Sequence, residues 1–178
     1  MTKLHTARLV LRLPYPDDAG AITEHLSDFG VAGNLARVPH PYSAEDAESW
    51  LAERPADPPT NETAFMVETR DGELAGNVGF HERHEGRADI GYYLGRPFWG
   101  RGLMTEAVRA ALNWYFGETG AGRVGSGVFH FNAPSLAIQR KLGFVETGRS
   151  LVHCLARGKD IEQIDTELTR ATHAALSR

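Results

Sequence analysis

The sequence ADIGYYLGRPFWGRGLMTE, residues 88–106, decides the fold that we predict for this chain. Residues 88–95 are predicted to form a strand, and a long helix is predicted over 103–116 because apolar residues recur there at helical spacing. Gly100 and Gly102 lie in the connection, where glycine lets successive backbone N–H groups turn inward and approach a ligand closely. This stretch therefore predicts a strand that leads through a binding loop into the longest helix.

The loop is predicted to bind an anion such as phosphate or pyrophosphate. A helix N-terminus carries roughly half a positive charge, and its first N–H groups have no partner within the helix. Pro97 has no N–H, so we expect the donors to be the amides of residues 99–105. The alternative is an ordinary glycine-rich connection between a strand and a helix, and the spacing of the glycines does not exclude it.

Outward from this stretch, the hydrophobic pattern predicts a mixed α/β fold. Further strands are predicted at residues 8–13, 64–69, 73–81, 123–131, 151–156 and 161–170. Further helices are predicted at 17–30, 43–51 and 133–142, and tight turns at 71–72 and 85–86. The order along the chain is one strand, two helices, three strands, a helix, a strand, a helix and two strands. This order predicts a mixed sheet of about seven strands with helices on both faces.

Length, charge and cysteine content limit the class of protein. The 178 residues correspond to a single predicted domain, residues 1–178. Apolar runs are far shorter than the ~20 residues that cross a bilayer, and no export signal is recognised, so we expect a cytoplasmic protein without membrane contact. The net charge of −4, from 23 acidic and 19 basic residues, argues against a nucleic-acid-binding protein. Cys154, the only cysteine, lies in a predicted strand, where we expect a packed structural thiol rather than a nucleophile.

Three other binding functions are not supported by the sequence. The chain lacks the Gly-x-x-x-x-Gly-Lys-Ser/Thr pattern of a P-loop. The sequence GAGRVG, residues 120–125, matches a dinucleotide-binding fingerprint, but it follows a predicted helix and precedes a predicted strand, the reverse of the required order. His81 and His84 miss the His-Glu-x-x-His zinc pattern by one residue, and we expect no metal site.

The loop resembles the acetyl-CoA pyrophosphate loop of the GCN5-related N-acetyltransferase (GNAT) superfamily, whose consensus is Gln/Arg-x-x-Gly-x-Gly/Ala. The sequence PFWGRG, residues 97–102, matches both glycines, with proline in place of the polar first residue. Downstream, NAPS at 132–135 and KLGF at 141–144 resemble the second half of that family's cofactor site. Upstream, TARLVLR at 6–12 and PHPYS at 39–43 resemble the branch of ribosomal-protein N-terminal acetyltransferases, the RimJ/RimL type. These resemblances occur in the family's order and cover almost the whole chain.

The resemblance implies where acetyl-CoA binds. In the family, two adjacent parallel strands splay apart and the pantetheine arm lies in the gap; here these are the fourth and fifth predicted strands, 88–95 and 123–131. An amide of the first strand, aimed at the thioester oxygen, stabilises the oxyanion that forms there. The implied cofactor-binding residues are Tyr92, Tyr93, Leu94, Trp99, Gly100, Arg101, Gly102, Leu103, Met104, Thr105, Asn132 and Ser135.

The resemblance also implies candidate catalytic residues. Ser135 occupies the place of a serine that acts as acid toward the sulfur, and its alternative role is a first-turn helix residue beside an Asn132 cap. The tyrosine that other members use one turn further along is Gln139 here, and a carboxylate base of some relatives falls on Gly127. The candidate bases are Glu82, His84, Asp89 and His130. For each of them a solvated or structural role is the alternative.

The implied function is an N-acetyltransferase that moves an acetyl group directly from acetyl-CoA to a primary amine. The acceptor is a protein N-terminal α-amine, an amino-acid-like metabolite or an antibiotic amine. We favour an amine of low pKa, because an α-amine with a pKa of ~7.7–8 is about one-tenth neutral at pH 7, and a lysine amine is far less so. Two alternatives are a non-catalytic acyl-CoA-binding module of the same fold and a protein that binds a nucleotide phosphate. A monomer or a homodimer is expected.

Overall fold

The computed structural model describes residues 2–84 and 87–176 of the chain. Within these residues the strands are β1 (Lys3–His5), β2 (Leu9–Arg12), β3 (Ala64–Thr69), β4 (Leu74–His84), β5 (Arg87–Leu94), β6 (Arg123–Phe129), β7 (Val145–Cys154) and β8 (Lys159–Thr169). The helices are α1 (Ala19–Ser27), α2 (Phe29–Ala32), α3 (Ala44–Ala52), α4 (Leu103–Glu118), α5 (Ala133–Lys141) and α6 (Arg170–Leu176). The described strands form one sheet in the order β1-β2-β3-β4-β5-β6-β8-β7.

The sheet opens between β5 and β6. Among the described strands these two are the parallel neighbours, and they pair at one register position, Asp89 opposite Gly125. By contrast, β6 pairs with β8 along its whole length, from Arg123 to Phe129. Because the pairing of β5 with β6 does not continue beyond Asp89, the carboxyl-terminal half of β5 has an unpaired edge. The predicted mixed α/β fold, with an opening between these two strands, is confirmed.

Helices cover both faces of the sheet, as predicted. On one face α4 buries apolar and small residues at helical spacing, and on the other α1 and α3 cover a second cluster. Each large apolar side chain buried in this way contributes roughly 1.5–3 kcal/mol to folding. The residues of α4 in the first core are Leu103, Met104, Ala107, Val108, Ala111, Leu112, Tyr115 and Phe116. The second core contains Ile22, Leu26, Val31, Tyr42, Ala47, Leu51 and Met66.

Within the described residues there are eight strands, one more than the seven predicted, and several boundaries differ from the prediction. β1 is only three residues long, and its single alternation of polar and apolar residues is too short to indicate a strand. β7 begins at Val145, six residues before the predicted start at 151, because its first half is exposed on both faces and resembles a polar loop. The predicted final strand ends at Thr169, and Arg170 begins α6 instead.

The predicted helix over residues 17–30 is divided in two. Its start forms a 3-10 turn over Pro16–Asp18, and α1 then ends at Ser27. Asp28 leaves the helical conformation with ψ 114°, and its carboxylate accepts a hydrogen bond from Gly30 N at 2.7 Å, which caps α2. The predicted turn at residues 85–86 lies outside the described residues.

The remaining observations on the fold concern the cysteine and the lengths of the helices. Cys154 is fully buried in a small cluster with Phe129 and Ile161, so the predicted packed thiol is confirmed. In the part of the chain that the structure describes, no helix is both long enough and apolar enough to cross a membrane.

Candidate active site

The connection from β5 to α4 has the backbone conformation that the glycines predict. A 3-10 turn, Arg96–Phe98, leaves β5 and is followed by Gly100 and Gly102, each with φ of +72°. Residues that have a Cβ rarely adopt this left-handed backbone conformation, so these positions favour glycine. Gly102 is also the residue that precedes α4, and no side chain caps this helix end.

The amides of residues 100–105 are aligned as donors at the N-terminus of α4. Among the described residues, no backbone or side-chain acceptor takes any of these N–H groups. The first amide that turns back into the chain is Glu106 N, which donates to Gly102 O at 3.3 Å. Unpaired amides at the start of a long helix are suited to an anion.

Trp99 departs from the predicted set of donors. Its backbone N–H donates to Arg96 O at 3.2 Å and therefore closes the 3-10 turn instead of facing a ligand. Its indole Nε1 donates to the carbonyl oxygen of Leu94 at 2.8 Å, which ties the loop to the end of β5. The prediction of an amide donor at Trp99 is wrong, because the preceding turn already uses this group.

Residues near the start of the chain support the loop from behind, and the sequence analysis did not identify this role. Arg8 Nη1 donates to the carbonyl oxygen of Arg101 at 2.8 Å, and Arg8 Nε pairs with Glu106 Oε2 at 2.7 Å. The hydroxyl of Thr6 donates to Glu106 Oε1 at 2.6 Å. These bonds hold the Arg101 carbonyl on the far side of the loop. The TARLVLR sequence at 6–12 was the only signal, and it does not name Glu106 as the partner.

A cleft of about 1600 Å³ runs from this loop through the gap between β5 and β6 to the helices on the other face. Residues implied to bind the cofactor line it, except Arg101, which is exposed and outside the lining. Those in the lining are Tyr92, Tyr93, Leu94, Trp99, Gly100, Gly102, Leu103, Met104, Thr105, Asn132 and Ser135. The structure thus brings together residues that are more than forty positions apart in the sequence.

Ser135 lies in the first turn of α5, facing β5. Asn132 is the residue that caps this helix, because its Oδ1 accepts a hydrogen bond from Ser135 N at 3.3 Å. The Ser135 hydroxyl therefore has no capping role, and its Oγ lies 2.9 Å from the phenol oxygen of Tyr92. The sequence predicts a role for the backbone of Tyr92, and no local pattern indicates this side-chain contact.

The candidate bases have different surroundings. Asp89 is 4% exposed in the cleft; its Oδ2 accepts from Arg83 Nη1 at 3.0 Å, and its Oδ1 has no hydrogen-bond partner among the described residues. Glu82 also lines the cleft, but it is exposed and accepts a hydrogen bond from Asn61 Nδ2 at 2.6 Å. His130 is exposed and outside the cleft lining. The side chain of His84 lies outside the described residues.

His81 is a polar residue of the cleft that sequence analysis considered only as a metal ligand. It is half-buried on β4, directly opposite Asp89 on β5. Burial lowers the pKa of His81, and the charge of Arg37 lowers it further. The imidazole is therefore neutral near pH 7 and able to accept a proton. Among the described residues, no group of three His, Cys, Asp or Glu side chains is placed to hold a metal ion.

His25 of α1 packs against the end of β5. Its ring makes edge-on contacts with Tyr93 and Phe98, at centroid distances of 6.4 and 5.8 Å, and leaves no space for a side chain at Gly95. Its Nδ1 is buried with no hydrogen-bond partner among the described residues, and burial lowers the pKa of His25 from 6.5.

We expect the stability of the protein to fall as the pH drops below about 6.5, in part because of His25. The unfolded chain then binds a proton that the folded chain resists, so the free energy of unfolding decreases with falling pH. Urea unfolding between pH 7 and pH 5 measures how steeply the free energy of unfolding depends on pH. His25→Phe should reduce this slope by an amount that corresponds to the uptake of up to about one proton on unfolding. His5→Phe, at an exposed position, is the control and should leave the slope unchanged. An unchanged slope in His25→Phe contradicts the assignment.

The length of the cleft and the unpaired amides at one end of it are suited to a long, extended ligand with an anionic end. The model of the acetyltransferase (GNAT) domain family matches residues 8–145. The chain belongs to this family and is an N-acetyltransferase of the GNAT type.

Known proteins similar to this chain agree with that assignment. The chain is 29% identical over 178 residues to the uncharacterized N-acetyltransferase p20 of Bacillus licheniformis, covering 98% of this chain and 99% of that protein. Ribosomal-protein-S5-alanine acetyltransferase of Vibrio fischeri has a similar structure, with a TM-score of 0.78 and 18% identity over 95% of this chain and 97% of that one. Spermidine N-acetyltransferase of Vibrio cholerae, in complex with CoA and spermine, has a TM-score of 0.80 and 18% identity over 95% and 99%. At these identities the two structures show that the fold is shared.

Proposed function

We propose that this protein transfers an acetyl group from acetyl-CoA directly to a primary amine bound in the cleft between β5 and β6. The observation that carries the proposal is the row of unpaired amides, residues 100–105, at the mouth of a cleft that also contains Ser135. Acetyl-CoA supplies the activated acetyl group as a thioester. The fold shared with a spermidine N-acetyltransferase in complex with CoA and spermine supports the proposal.

In the proposed reaction, residues at different positions in the cleft have different roles. The amides at the start of α4 hold the pyrophosphate by charge-assisted hydrogen bonds. The unpaired edge of β5 beyond Asp89 offers backbone groups to an extended arm and to a developing oxyanion. Ser135 gives a proton to the departing sulfur. Asn132 caps α5 and so holds the first turn in which Ser135 lies.

Asp89 is our proposed base, with Glu82 as the second candidate. Asp89 is buried within the cleft with one oxygen unpartnered, whereas Glu82 is exposed and bonded to Asn61. The neutral imidazole of His81 lies across from Asp89 on the neighbouring strand, and the charge of Asp89 partly offsets the lowering of the His81 pKa. A water molecule between the amine and Asp89 or His81 allows proton transfer over a longer distance.

We propose that the acceptor is an amine of low pKa, with a protein N-terminal α-amine first and a small amino-acid-like or antibiotic amine second. An α-amine requires less help to lose its proton than a lysine amine does. The lining of the cleft includes charges of both signs near α3, since Asp46, Glu53 and Arg54 are all part of it and Arg54 pairs with Glu53 at 3.5 Å. Such a surface suits a polar acceptor that carries more than one charged group.

The finer expectations from sequence belong to the same proposal. They are the RimJ/RimL branch, a cytoplasmic location, a single domain over residues 1–178, and a monomer or homodimer without nucleic-acid or membrane partners. The structural likeness to a ribosomal-protein-S5-alanine acetyltransferase supports the branch.

The deciding experiment is thiol release from acetyl-CoA in the presence of N-terminal peptides, amino acids, polyamines and aminoglycosides. We expect turnover with at least one α-amine and calorimetric binding of acetyl-CoA in the absence of acceptor. Binding without turnover across the panel favours the non-catalytic acyl-CoA-binding module. Stronger thermal protection by ATP or NAD than by CoA favours a nucleotide-binding protein, and either result contradicts the proposal.

Ser135→Ala should lower kcat about 100-fold or more and leave the Kd for acetyl-CoA nearly unchanged. General acid catalysis contributes typically ~10²–10⁴-fold, and Asn132, the residue that caps α5, is retained. Ser150→Ala is the matched control, because Ser150 bonds Asp165 and lies outside the cleft lining. Equal rates for the wild type and Ser135→Ala remove Ser135 from the mechanism.

A further inference from the structure

We propose that the hydroxyl of Tyr92 orients the proton of Ser135 into the cleft and is therefore a positioning residue for the acid. The inference rests on the proposed function, because it concerns the group that protonates the sulfur. The two hydroxyl oxygens are 2.9 Å apart, so one donates and the other accepts. Which of them donates decides where the Ser135 proton points.

The direction follows from the acidity of the two hydroxyls, and a buried chain of hydrogen bonds that begins on β5 supports it. The carbonyl oxygen of Ile90 can only accept, so Ser126 Oγ, 2.8 Å away, gives its single proton to that oxygen. Ser126 Oγ must then accept from Gln139 Nε2, which is 2.8 Å away. On the other side of the amide, Thr166 Oγ1 donates to Gln139 Oε1 at 2.6 Å. The orientation of the Gln139 amide is therefore determined by both neighbours.

The chain of hydrogen bonds leads to the neighbourhood of the phenol. The Gln139 amide lies beside Tyr92, and its nitrogen has a second proton available because its oxygen is taken by Thr166. A phenol is a more acidic donor than an aliphatic hydroxyl, and Ser135 Oγ at 2.9 Å is a nearer acceptor for its proton than the Ser135 carbonyl oxygen at 3.4 Å. Ser135 Oγ thus accepts from Tyr92, and its remaining proton points away from Tyr92, toward the cleft that Ser135 lines.

Burial keeps this arrangement in place. Gln139 is 2% exposed and Ser126 is 3% exposed, so water does not compete for their hydrogen bonds. Burial also raises the pKa of Tyr92, which keeps the phenol protonated and able to donate near neutral pH. The chain extends from the backbone of β5 through β6, α5 and Tyr92 to the reacting end of the cleft.

Every proton that moves in the transfer is accounted for when Ser135 has this orientation. When the carbon–sulfur bond breaks, the sulfur keeps the electron pair and takes the proton of Ser135 Oγ. The new bond between the acceptor nitrogen and the carbonyl carbon forms with the loss of one proton from nitrogen. Asp89, the proposed base, takes that proton and returns it to Ser135 through water, so the protein ends in its starting state. Tyr92 keeps its own proton throughout and acts by orientation.

The experiment is a double-mutant cycle with Tyr92→Phe and Ser135→Ala. Tyr92→Phe should lower kcat up to about tenfold, since one orienting hydrogen bond is lost, and leave KM for acetyl-CoA within about twofold. In the Ser135→Ala background, Tyr92→Phe should cause no further loss, because there is no longer a hydroxyl to orient. Tyr115→Phe, a buried tyrosine outside the cleft lining, should have wild-type kinetics.

The cycle separates this inference from the proposed function. A wild-type protein that binds no acetyl-CoA and acetylates no amine contradicts the proposed function. An active wild type in which Tyr92→Phe has the same kcat contradicts the inference alone. Equal losses from Tyr92→Phe in both backgrounds also overturn it, because they show that the phenol acts independently of Ser135.

Discussion

Gly102→Val should raise the Kd for acetyl-CoA by roughly 100-fold or more while the protein stays folded. Gly102 has φ of +72° immediately before α4, and a left-handed conformation costs a non-glycine residue roughly 1–2 kcal/mol, more for a β-branched side chain. The loop relieves this strain by changing conformation, which turns its amides away from the ligand. Each charge-assisted hydrogen bond contributes about 1.5–3 kcal/mol, so the loss of two accounts for the expected change.

Calorimetric titration with acetyl-CoA measures the effect, and urea unfolding confirms that the variant is folded. Gly120→Val is the matched control, because Gly120 lies between α4 and β6 with open space around its Cα and without a positive φ. We expect that control to bind acetyl-CoA as the wild type does. Wild-type affinity in Gly102→Val contradicts the assignment of this loop to the pyrophosphate.

Arg12→Leu should lower the free energy of unfolding by about 3–5 kcal/mol, the largest stability effect that we expect from one substitution. Arg12 forms a two-pronged pair with Asp18, with Nη2 to Oδ1 at 2.7 Å and Nη1 to Oδ2 at 2.9 Å. Its Nε donates to Glu68 at 2.7 Å, which joins β2, β3 and the turn before α1. Asp18 is 6% exposed, so removal of the guanidinium leaves a buried carboxylate without its counter-ion.

Urea unfolding at pH 7 measures this loss of stability. Arg149→Leu is the control, because Arg149 pairs with Glu162 and Glu146 at the surface, where all three side chains are close to half exposed. Exposed pairs contribute about 0–1 kcal/mol, so this control should change stability little. Equal effects of the two substitutions contradict the assignment of a structural role to the buried pair.

The sequence was most informative where local rules act. The glycines predict a loop in which the backbone can turn closely, and both adopt a left-handed conformation, which only glycine adopts readily. The apolar spacing after Leu103 predicts α4, because a period of 3.6 residues places those side chains on one face. Both signals depend on neighbours in sequence and require no knowledge of the rest of the fold.

Sequence reasoning failed where an element has no pattern of its own or where a group is already used. β1 has only three residues, too few for its alternation to indicate a strand, and the first half of β7 is exposed throughout and does not alternate. The sequence predicts the amide of Trp99 as a ligand donor, because the spacing of the glycines does not show that a 3-10 turn uses this amide. A short turn of this kind depends on one hydrogen bond and has a weak sequence signature.

Residue types and their spacing alone determined the glycine-containing loop, the long helix behind it, the mixed sheet and the absence of any disulfide within the chain. Tertiary structure alone decided that Arg8 and Glu106 hold the loop, that Asp89 is buried in the cleft, and that Tyr92 meets Ser135. The physical reason is the range of the interactions. Backbone conformation and helical period are set within a few residues, whereas these side-chain contacts join positions 98 and 43 residues apart and exist only once the strands have paired.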